Sequence, residues 1–334
     1  MKNKLIVIWL LIIGGISSCE LIWNDKDPVN SYESNFDILW SILNERYSFF
    51  EYKNIDWDAS YQSYKSRAIS ATNEQEFFDI LTEMLSELRD GHVNIRSPFD
   101  ISRFQQYLDA PSNFNYDLLE RNYLEGSRIT GHLLNHEIQG VGYIYYRSFT
   151  NPITNFELDT VINRFKNLPG IIIDIRNNEG GNPSNGLKIL ARIISERTNI
   201  YNSQFKNGTG RTDFTEIEKV FLDPYTDGPT FTGKIVVLTN RRVFSAGSYF
   251  SAAMKNIDNA ILMGDDTGGG SGVPAGFELP NGWYFNYSSS IGYTAQGLNF
   301  ESGVPVDIKV DLNPIDVANN RDTILEAAIR YIKN

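Results

Sequence analysis

The sequence is poor in the residues that form disulfides and bind transition metals. Its 334 residues include one cysteine, Cys19, and only three histidines, His92, His132 and His136. A single cysteine excludes an intramolecular disulfide and any metal site built from several cysteines. The last two histidines lie in a segment without clear periodicity, where exposed loop histidines are expected. His92 is therefore the histidine of most interest.

The chain also lacks an excess of positive charge. Lysine and arginine number 30 against 41 aspartates and glutamates, which gives a formal net charge of −11. Such a chain repels phosphate backbones, so we expect no nucleic-acid partner. The acidic residues are spread along the sequence, as on a soluble surface. With 41% hydrophobic and 13% aromatic residues, the chain can form a packed core of one large and one small domain.

The N-terminal apolar run, residues 5–13, is too short to span a bilayer comfortably. A basic start precedes it and small residues follow, which is the pattern of a secretory signal peptide. The stretch that ends at Cys19 resembles a bacterial lipobox, in which the cysteine is lipidated. We predict a lipoprotein signal peptide over 1–18, a tether over 19–31, and a lipid anchor at Cys19 that attaches the protein to the outer membrane of the cell envelope. The alternative is an ordinary signal peptide that happens to contain a cysteine.

Residues 32–96 have helical periodicity, with apolar residues at three- and four-residue spacing in three segments. Thr72 and Gln75 fit a capping box at the start of the third helix. Gly91 suits its C-cap. We predict a small helical bundle over 32–96, ending in a short strand, and then an irregular connecting segment over 97–138.

Residues 139–334 alternate between strands and helices. Apolar β-branched runs at 170–176 and 234–239 predict buried strands, and helical patterns follow at 185–198 and 246–257. This order indicates βαβ units and a mixed, largely parallel sheet. The predicted fold class is α/β (α+β), a small N-terminal helical bundle followed by a βαβ core.

Two loops follow buried strands, at the edge where such sheets bind ligands. In one, Gly180 and Gly181 permit a sharp turn with accessible N–H groups, although a tight β–α turn alone would explain them. In the other, Ser245 precedes a helix and could be a nucleophile, with the Ala246 N–H beside it. A helix N-cap is the alternative role for this serine.

Five segments together resemble the tail-specific proteases, a family that includes the C-terminal processing peptidases and the tricorn protease core. The segments are 90–93, 172–181, 239–248, 264–270 and 301–307. The resemblance covers about residues 32–330. It implies a ClpP/crotonase-like core over 139–334 and no metal or organic cofactor. Only 97–138 is available for the PDZ domain that many relatives carry, so we predict that the chain has none.

The sequence departs from this family pattern at the base. C-terminal processing peptidases use a lysine where this chain has Gly270, and no lysine lies between Thr267 and Asn281. The tricorn-like branch instead uses serine, histidine and glutamate. On that resemblance, the catalytic residues are Ser245, His92 and Glu301. The serine that precedes the histidine in that branch is replaced by Gly91.

The resemblance therefore implies a secreted lipoprotein serine endopeptidase that acts on peptides or unfolded proteins. Ser245 attacks the carbonyl, His92 transfers the proton, Glu301 orients the site, and the N–H groups of Ala246 and Gly180 or Gly181 bind the oxyanion. A weakly nucleophilic serine needs a base with a pKa near the working pH, and histidine meets this need.

Two other functions remain open on the sequence alone. One is a catalytically inactive protein that binds peptides or hydrophobic ligands on the same fold, which the missing lysine and serine favour. The other is a serine hydrolase of non-peptide esters or amides. Whether His92 lies within hydrogen-bonding reach of Ser245 distinguishes binding from catalysis.

Overall fold

The computed structural model describes residues 29–105 and 109–334. The predicted signal peptide, Cys19 and most of the predicted tether lie outside these residues. Within the described part of the chain, no helix is both long and apolar enough to cross a membrane.

Three helices form the N-terminal region, as the periodicity predicts. They are α1 (Tyr32–Arg46), α2 (Trp57–Ile69) and α3 (Glu74–Ser86). Their N-caps are Ser31, Asp56 and Asn73, and each side chain accepts a hydrogen bond from a backbone N–H of the first turn. Such caps each stabilise a helix by about 1 kcal/mol.

Two details predicted for α3 are wrong. The N-cap is Asn73 instead of Thr72, and the Glu76 carboxylate, instead of Gln75, accepts from the Thr72 N–H at 2.8 Å. The helix ends at Ser86, so Gly91 lies beyond its end and is not its C-cap. Asparagine competes well with threonine as an N-cap, and this shifts the start of the helix by one residue.

The three helices pack on a small antiparallel sheet. Its strands are β1 (Asn94–Arg96), β10 (Pro274–Glu278) and β11 (Tyr284–Ser288), in the order β1-β11-β10. Trp283, Phe285 and Tyr287 are buried in the same hydrophobic cluster as α1–α3. These aromatic residues belong to a core, and this contact joins the helical region to the C-terminal half of the chain.

The segment 97–138, predicted as irregular, contains regular structure in its second half. Helix α4 covers Tyr116–Tyr123, and strands β2 (Arg128–Thr130) and β3 (Leu133–Ile138) form a hairpin. His136 lies in β3 and His132 is exposed in the hairpin turn. Polar residues within these short elements weaken the periodicity, which is why the sequence did not reveal them.

The core is a seven-stranded mixed sheet in the order β13 (Ile308–Lys309), β9 (Ala260–Gly264), β8 (Lys234–Thr239), β5 (Gly170–Asp174), β4 (Val141–Tyr145), β3, β2. The strands β4, β5, β8, β9 and β13 are parallel, and β2 and β3 are antiparallel additions at one edge. The predicted largely parallel sheet is therefore confirmed.

Helices cover both faces of this sheet. On one face lie α5 (Asn155–Phe165), α6 (Pro183–Leu190) and α7 (Ala246–Met254), and on the other α9 (Thr323–Lys333). Arg176, two residues after the end of β5, forms buried ion pairs with Asp174 (2.6 Å) and with Asp322 (2.9 Å), the N-cap of α9. These contacts fix the C-terminal helix below the strand end that carries the glycine loop.

The remaining elements are peripheral to the sheet. Strands β6 (Thr198–Phe205), β7 (Glu218–Leu222) and β12 (Ser290–Tyr293) form a second three-stranded sheet, and α8 covers Pro314–Ala318. The helix predicted over 185–198 ends instead at Leu190, and β6 begins at Thr198.

Candidate active site

The two predicted loops meet because their strands are neighbours. Strands β5 and β8 pair in parallel, so both chains leave the sheet at the same edge. Asn240 binds Asn177 through both its amide atoms, at 3.0 Å and 2.7 Å, and the Phe244 N–H donates to the Asn178 carbonyl at 3.1 Å. The glycine loop and the serine loop therefore form one hydrogen-bonded unit.

Ser245 lies at the junction of this unit with helix α7. Its backbone has φ 53° and ψ −122°, a conformation that costs a non-glycine residue of the order of 1–3 kcal/mol. The Ser245 N–H donates to the Gly269 carbonyl at 2.9 Å, which holds the residue in place. Its side chain makes no N-cap hydrogen bond, so the alternative role of a helix N-cap is not observed.

The glycines pack directly against Ser245. A Cβ atom on Gly180 would lie 3.0 Å from both the Ser245 Cβ and the Ala246 nitrogen, and one on Gly181 would clash with the Thr150 backbone. Both glycines have positive φ. Only glycine fits here without strain, because a side chain would enter the space beside the serine.

The residues predicted to bind the oxyanion differ in whether their N–H groups already have an acceptor. The Gly180 N–H donates to the Asn178 Oδ1 at 3.0 Å and is therefore not free to bind an oxyanion. The Ala246 N–H belongs to the first turn of α7, where N–H groups have no intrahelical acceptor. Of these two N–H groups, that of Ala246 is therefore the better candidate for an oxyanion donor.

His92 reaches this edge from the N-terminal region. Strand β1 begins two residues later, at Asn94, and pairs with β11, while the Asp90 Oδ1 accepts from the His92 N–H at 2.8 Å. The His92 ring packs on the ring of Phe244, the residue before Ser245, with 4.8 Å between centroids. The segment that carries the histidine is thus fixed next to the serine loop.

No hydrogen bond joins the His92 and Ser245 side chains in the described structure, and the buried His92 Nδ1 has no partner there. Catalytic hydrogen bonds often form or shorten only when substrate binds. Burial lowers the pKa of His92, with Asp90 opposing and Lys53 adding to the effect. The neutral imidazole, which can accept a proton, is therefore favoured.

Glu301 lies on the other side of the Gly269–Gly270 turn, and its carbonyl accepts from the Gly270 N–H at 3.1 Å. One carboxylate oxygen lies 2.8 Å from the Lys53 Nζ, and the other accepts from the Ser271 N–H at 2.8 Å. Burial and the nearby Asp90 raise the pKa of Glu301 to about 7, although Lys53 acts to lower it. Glu301 does not hydrogen-bond His92.

Lys53 is a residue of the site that was not predicted from the sequence. The sequence has no lysine between Thr267 and Asn281, and Gly270 packs against the Phe244 ring. A lysine nevertheless reaches the site from the connection between α1 and α2. No motif surrounds Lys53, and only the fold brings it to Glu301.

Two cavities lie at the site. One, of about 440 Å³, is lined by residues that include Lys53, Gly91, Phe244 and Glu301. The other, of about 510 Å³, is lined by Asn177, Glu179 and Arg242, together with aromatic residues and Arg147. Each cavity borders the serine loop, so an extended chain could pass between them. No group of three or more His, Cys, Asp or Glu side chains in residues 29–105 and 109–334 could hold a metal ion.

The parallel sheet, the strained serine at its edge and the adjacent helical region are together typical of a peptidase core. Comparisons with known proteins indicate the same class. The chain belongs to peptidase family S41, whose model matches residues 140–310. A second model, the tricorn protease C1 domain, matches residues 28–86. The resemblance seen in the sequence is therefore confirmed at the level of the family.

Curated relatives match about half of the chain. A tricorn protease homolog of Saccharolobus solfataricus is 30% identical over 163 residues, which cover 48% of this chain and 14% of that protein. The carboxy-terminal processing protease CtpA of Bacillus subtilis is 27% identical over 175 residues, 52% of this chain and 35% of that protein. The chain thus spans a small part of the curated relatives it matches.

Solved structures match over nearly the whole chain. A candidate peptidase from Parabacteroides merdae is 36% identical and has a TM-score of 0.87, with 91% of this chain and 97% of that chain covered. Mature CPAF has a TM-score of 0.66 at 12% identity, with 91% and 96% covered, which shows the fold alone.

Proposed function

We propose that this protein is a serine-type endopeptidase in which Ser245 is the nucleophile and His92 the general base. The observation that carries the proposal is the strained backbone of Ser245 at the end of β8, with the glycine loop packed against it. Strain of this kind persists only where surrounding contacts hold it, and it is common at active sites. In this conformation the Ser245 hydroxyl makes no hydrogen bond to the first turn of α7.

The reaction supported by these residues is acyl transfer. The Ser245 hydroxyl attacks the peptide carbonyl while neutral His92 takes its proton, and His92 then returns a proton to the leaving amine. Water hydrolyses the acyl-enzyme with His92 again as base. The Ala246 N–H stabilises the oxyanion. Glu301 acts on the base indirectly, because Lys53 and Ser271 occupy its two oxygens.

The substrates that we propose are peptides or unfolded proteins, bound in extended form between the two cavities. Two relatives have names that describe carboxyl-terminal processing. Cleavage near a free C-terminus is therefore the finer proposal. The cavity beside Glu179 carries Arg147 and Arg242, and neither guanidinium has a carboxylate partner among the described residues.

A catalytically inactive binding protein is the second candidate. The missing Ser245–His92 hydrogen bond and the unpartnered His92 Nδ1 favour it. Such a protein would bind the same peptides and leave them intact.

Peptide hydrolysis followed by mass spectrometry tests the proposal. Unstructured peptides with free and with amidated C-termini are incubated with wild type, Ser245→Ala and Ser251→Ala. Ser251 is a matched control, because its hydroxyl lies in the same helix and bonds only the Gly247 carbonyl at 2.9 Å. We expect cleavage by wild type and Ser251→Ala and none by Ser245→Ala. Binding without cleavage by wild type would support the second candidate.

The proposal extends to a lipid anchor at Cys19 on the cell envelope, which rests on the sequence alone. Metabolic labelling with a palmitate analogue tests it. We expect label on wild type and none on Cys19→Ala, and an unlabelled wild type in a secreting host would contradict the anchor.

A further inference from the structure

Lys53 is held in one position by the connection between α1 and α2. Its ammonium has three acceptors for its three N–H groups: the Tyr47 hydroxyl at 3.1 Å, the Arg89 carbonyl at 3.1 Å and the Glu301 carboxylate at 2.8 Å. The ammonium also lies 5.1 Å from the centre of the Phe49 ring. The Lys53 side chain is only 9% exposed.

This environment is wrong for a general base. A lysine that accepts a proton needs a free lone pair on its nitrogen, whereas the Lys53 Nζ lies against three hydrogen-bond acceptors. All three of its protons are engaged, so no lone pair faces the serine. Lys53 therefore does not replace the lysine that the C-terminal processing peptidases use.

The ammonium instead joins two carboxylates that belong to different parts of the fold. It lies 2.8 Å from Glu301, in the core, and 3.5 Å from Asp90, two residues before His92. The Asp90 Oδ2 also accepts from the Ser288 hydroxyl at 2.9 Å, and its Oδ1 from the His92 N–H. Both carboxylates are buried, and without a cation between them they would repel each other.

We propose that Lys53 is a positioning residue of the reaction, which links Glu301 to Asp90 and so fixes the His92 segment and the ionisation of the site. The inference rests on the proposed function, since it concerns the same base. It assigns to the N-terminal helical region a part in catalysis beyond supplying the histidine.

The positive charge of Lys53 and the negative charge of Asp90 shift the pKa values of Glu301 and His92 in opposite directions. Lys53 lowers the pKa of both Glu301 and His92, whereas Asp90 raises both. The active site requires ionised Glu301 and neutral His92, and both forms are lost as the pH falls. The other titratable or charged groups that face this cluster or line the adjoining cavity are Tyr47, Arg89, Asp109, Arg241 and Tyr249.

The test is the pH dependence of kcat/KM for peptide cleavage in two variants with opposite predicted shifts. In Lys53→Met, loss of the cation moves the acidic limb to higher pH. If the acidic limb of the pH profile moves by about one pH unit, kcat/KM at pH 6 falls about tenfold more than kcat/KM at pH 8.5. In Asp90→Asn, loss of the anion moves the limb to lower pH, while the amide oxygen can still accept from the His92 N–H. Lys53→Arg keeps the charge and is expected to retain the wild-type limb.

Lys65→Met is the matched control. Lys65 also binds a tyrosine hydroxyl (Tyr61, 2.6 Å) and an aspartate (Asp37, 3.0 Å), but it lies on helix α2 away from the site. The acidic limb of the pH profile of Lys65→Met is expected to match that of wild type. A purely structural role for Lys53 would lower activity equally at all pH values, and unshifted limbs in Lys53→Met or Asp90→Asn would overturn the inference. Inactive wild type would instead refute the proposed function.

Discussion

At the scale of the residue, Glu301 lies in an environment that is unfavourable to its charge. It is buried and feels the negative charge of Asp90, while the Lys53 ammonium and the N–H and hydroxyl groups of Ser271 compensate. A pKa raised to about 7 means that the folded protein holds the Glu301 proton more tightly than the unfolded chain does. Ionisation of Glu301 therefore opposes folding.

This raised pKa predicts how stability depends on pH. Because the folded pKa lies above the unfolded one, the contribution of Glu301 is fully present below about pH 4.5 and is lost as the pH rises through about 7. The stability of wild type relative to Glu301→Gln should thus fall from pH 4.5 to pH 8, by on the order of 3 kcal/mol. Urea unfolding at both pH values measures the difference. The exposed Glu278→Gln serves as control, and a difference independent of pH would contradict the raised pKa.

The residues of the site differ in how far the sequence could predict them. Ser245 and Glu301 lie in segments that resemble a family and could be named. Lys53 could not, because its contact with Glu301 joins two distant parts of the sequence and no motif surrounds it. The occupied Gly180 N–H was also unpredictable, since it depends on the side-chain conformation of Asn178.

At the scale of the element, the glycine loop shapes the site because its glycines have no side chains. The Gly180 Cα approaches the Phe244 carbonyl and the Ser245 Cβ so closely that a methyl group would collide with them. The positive φ of 97° adds a conformational requirement for glycine. Close packing between this loop and the serine junction is thus part of the site.

Gly180→Ala is expected to disturb the serine junction. Strain at positive φ costs about 1 kcal/mol or more, and the collision adds to it and displaces Ser245. We expect at least about a hundredfold loss of kcat/KM, since small misplacements of reacting groups have effects of this size. Peptide hydrolysis and thermal unfolding measure the two effects.

Gly140→Ala separates strain from collision. Gly140 has a φ of +81°, and no atom lies within 4 Å of the position that a Cβ would take, so only the strain applies. This variant should lose stability and keep its activity. Equal activity of the two variants would show that the contact with Ser245 is unimportant.

The elements themselves were predicted best where apolar β-branched runs are bounded by turns. Strand β8, Lys234–Thr239, has the predicted bounds. Strands β6 and β7 were not recognised, because polar residues such as those of Thr198–Phe205 lack a clear two-residue alternation. The pairing of β6 with β12 is a long-range contact that a local pattern does not encode.

At the scale of the whole molecule, the site depends on the junction between the helical region and the core. His92 and Lys53 come from the first and Ser245 and Glu301 from the second. Trp283 is 2% exposed and lies within 6 Å, ring to ring, of Phe77, Phe78 and Phe99. These aromatic contacts hold the two regions together.

Trp283→Ala is therefore expected to weaken both the fold and the site. Loss of a buried tryptophan costs about 3–5 kcal/mol. We expect lower stability by denaturant unfolding and faster proteolysis of the N-terminal region. Tyr284→Ala, next in sequence but 42% exposed, should change stability by less than about 0.5 kcal/mol. Equal losses in the two variants would contradict the proposed role of the junction.

Labelling by a serine-directed phosphonate, with the modified residue located by mass spectrometry, is the sharpest test of the proposed catalytic pair. We predict an adduct on Ser245 in wild type at pH 8, no adduct in Ser245→Ala, and at least about a hundredfold slower labelling in His92→Ala. An adduct elsewhere, or none on the folded wild type, would contradict Ser245 as nucleophile. Undiminished labelling of His92→Ala would contradict His92 as its base.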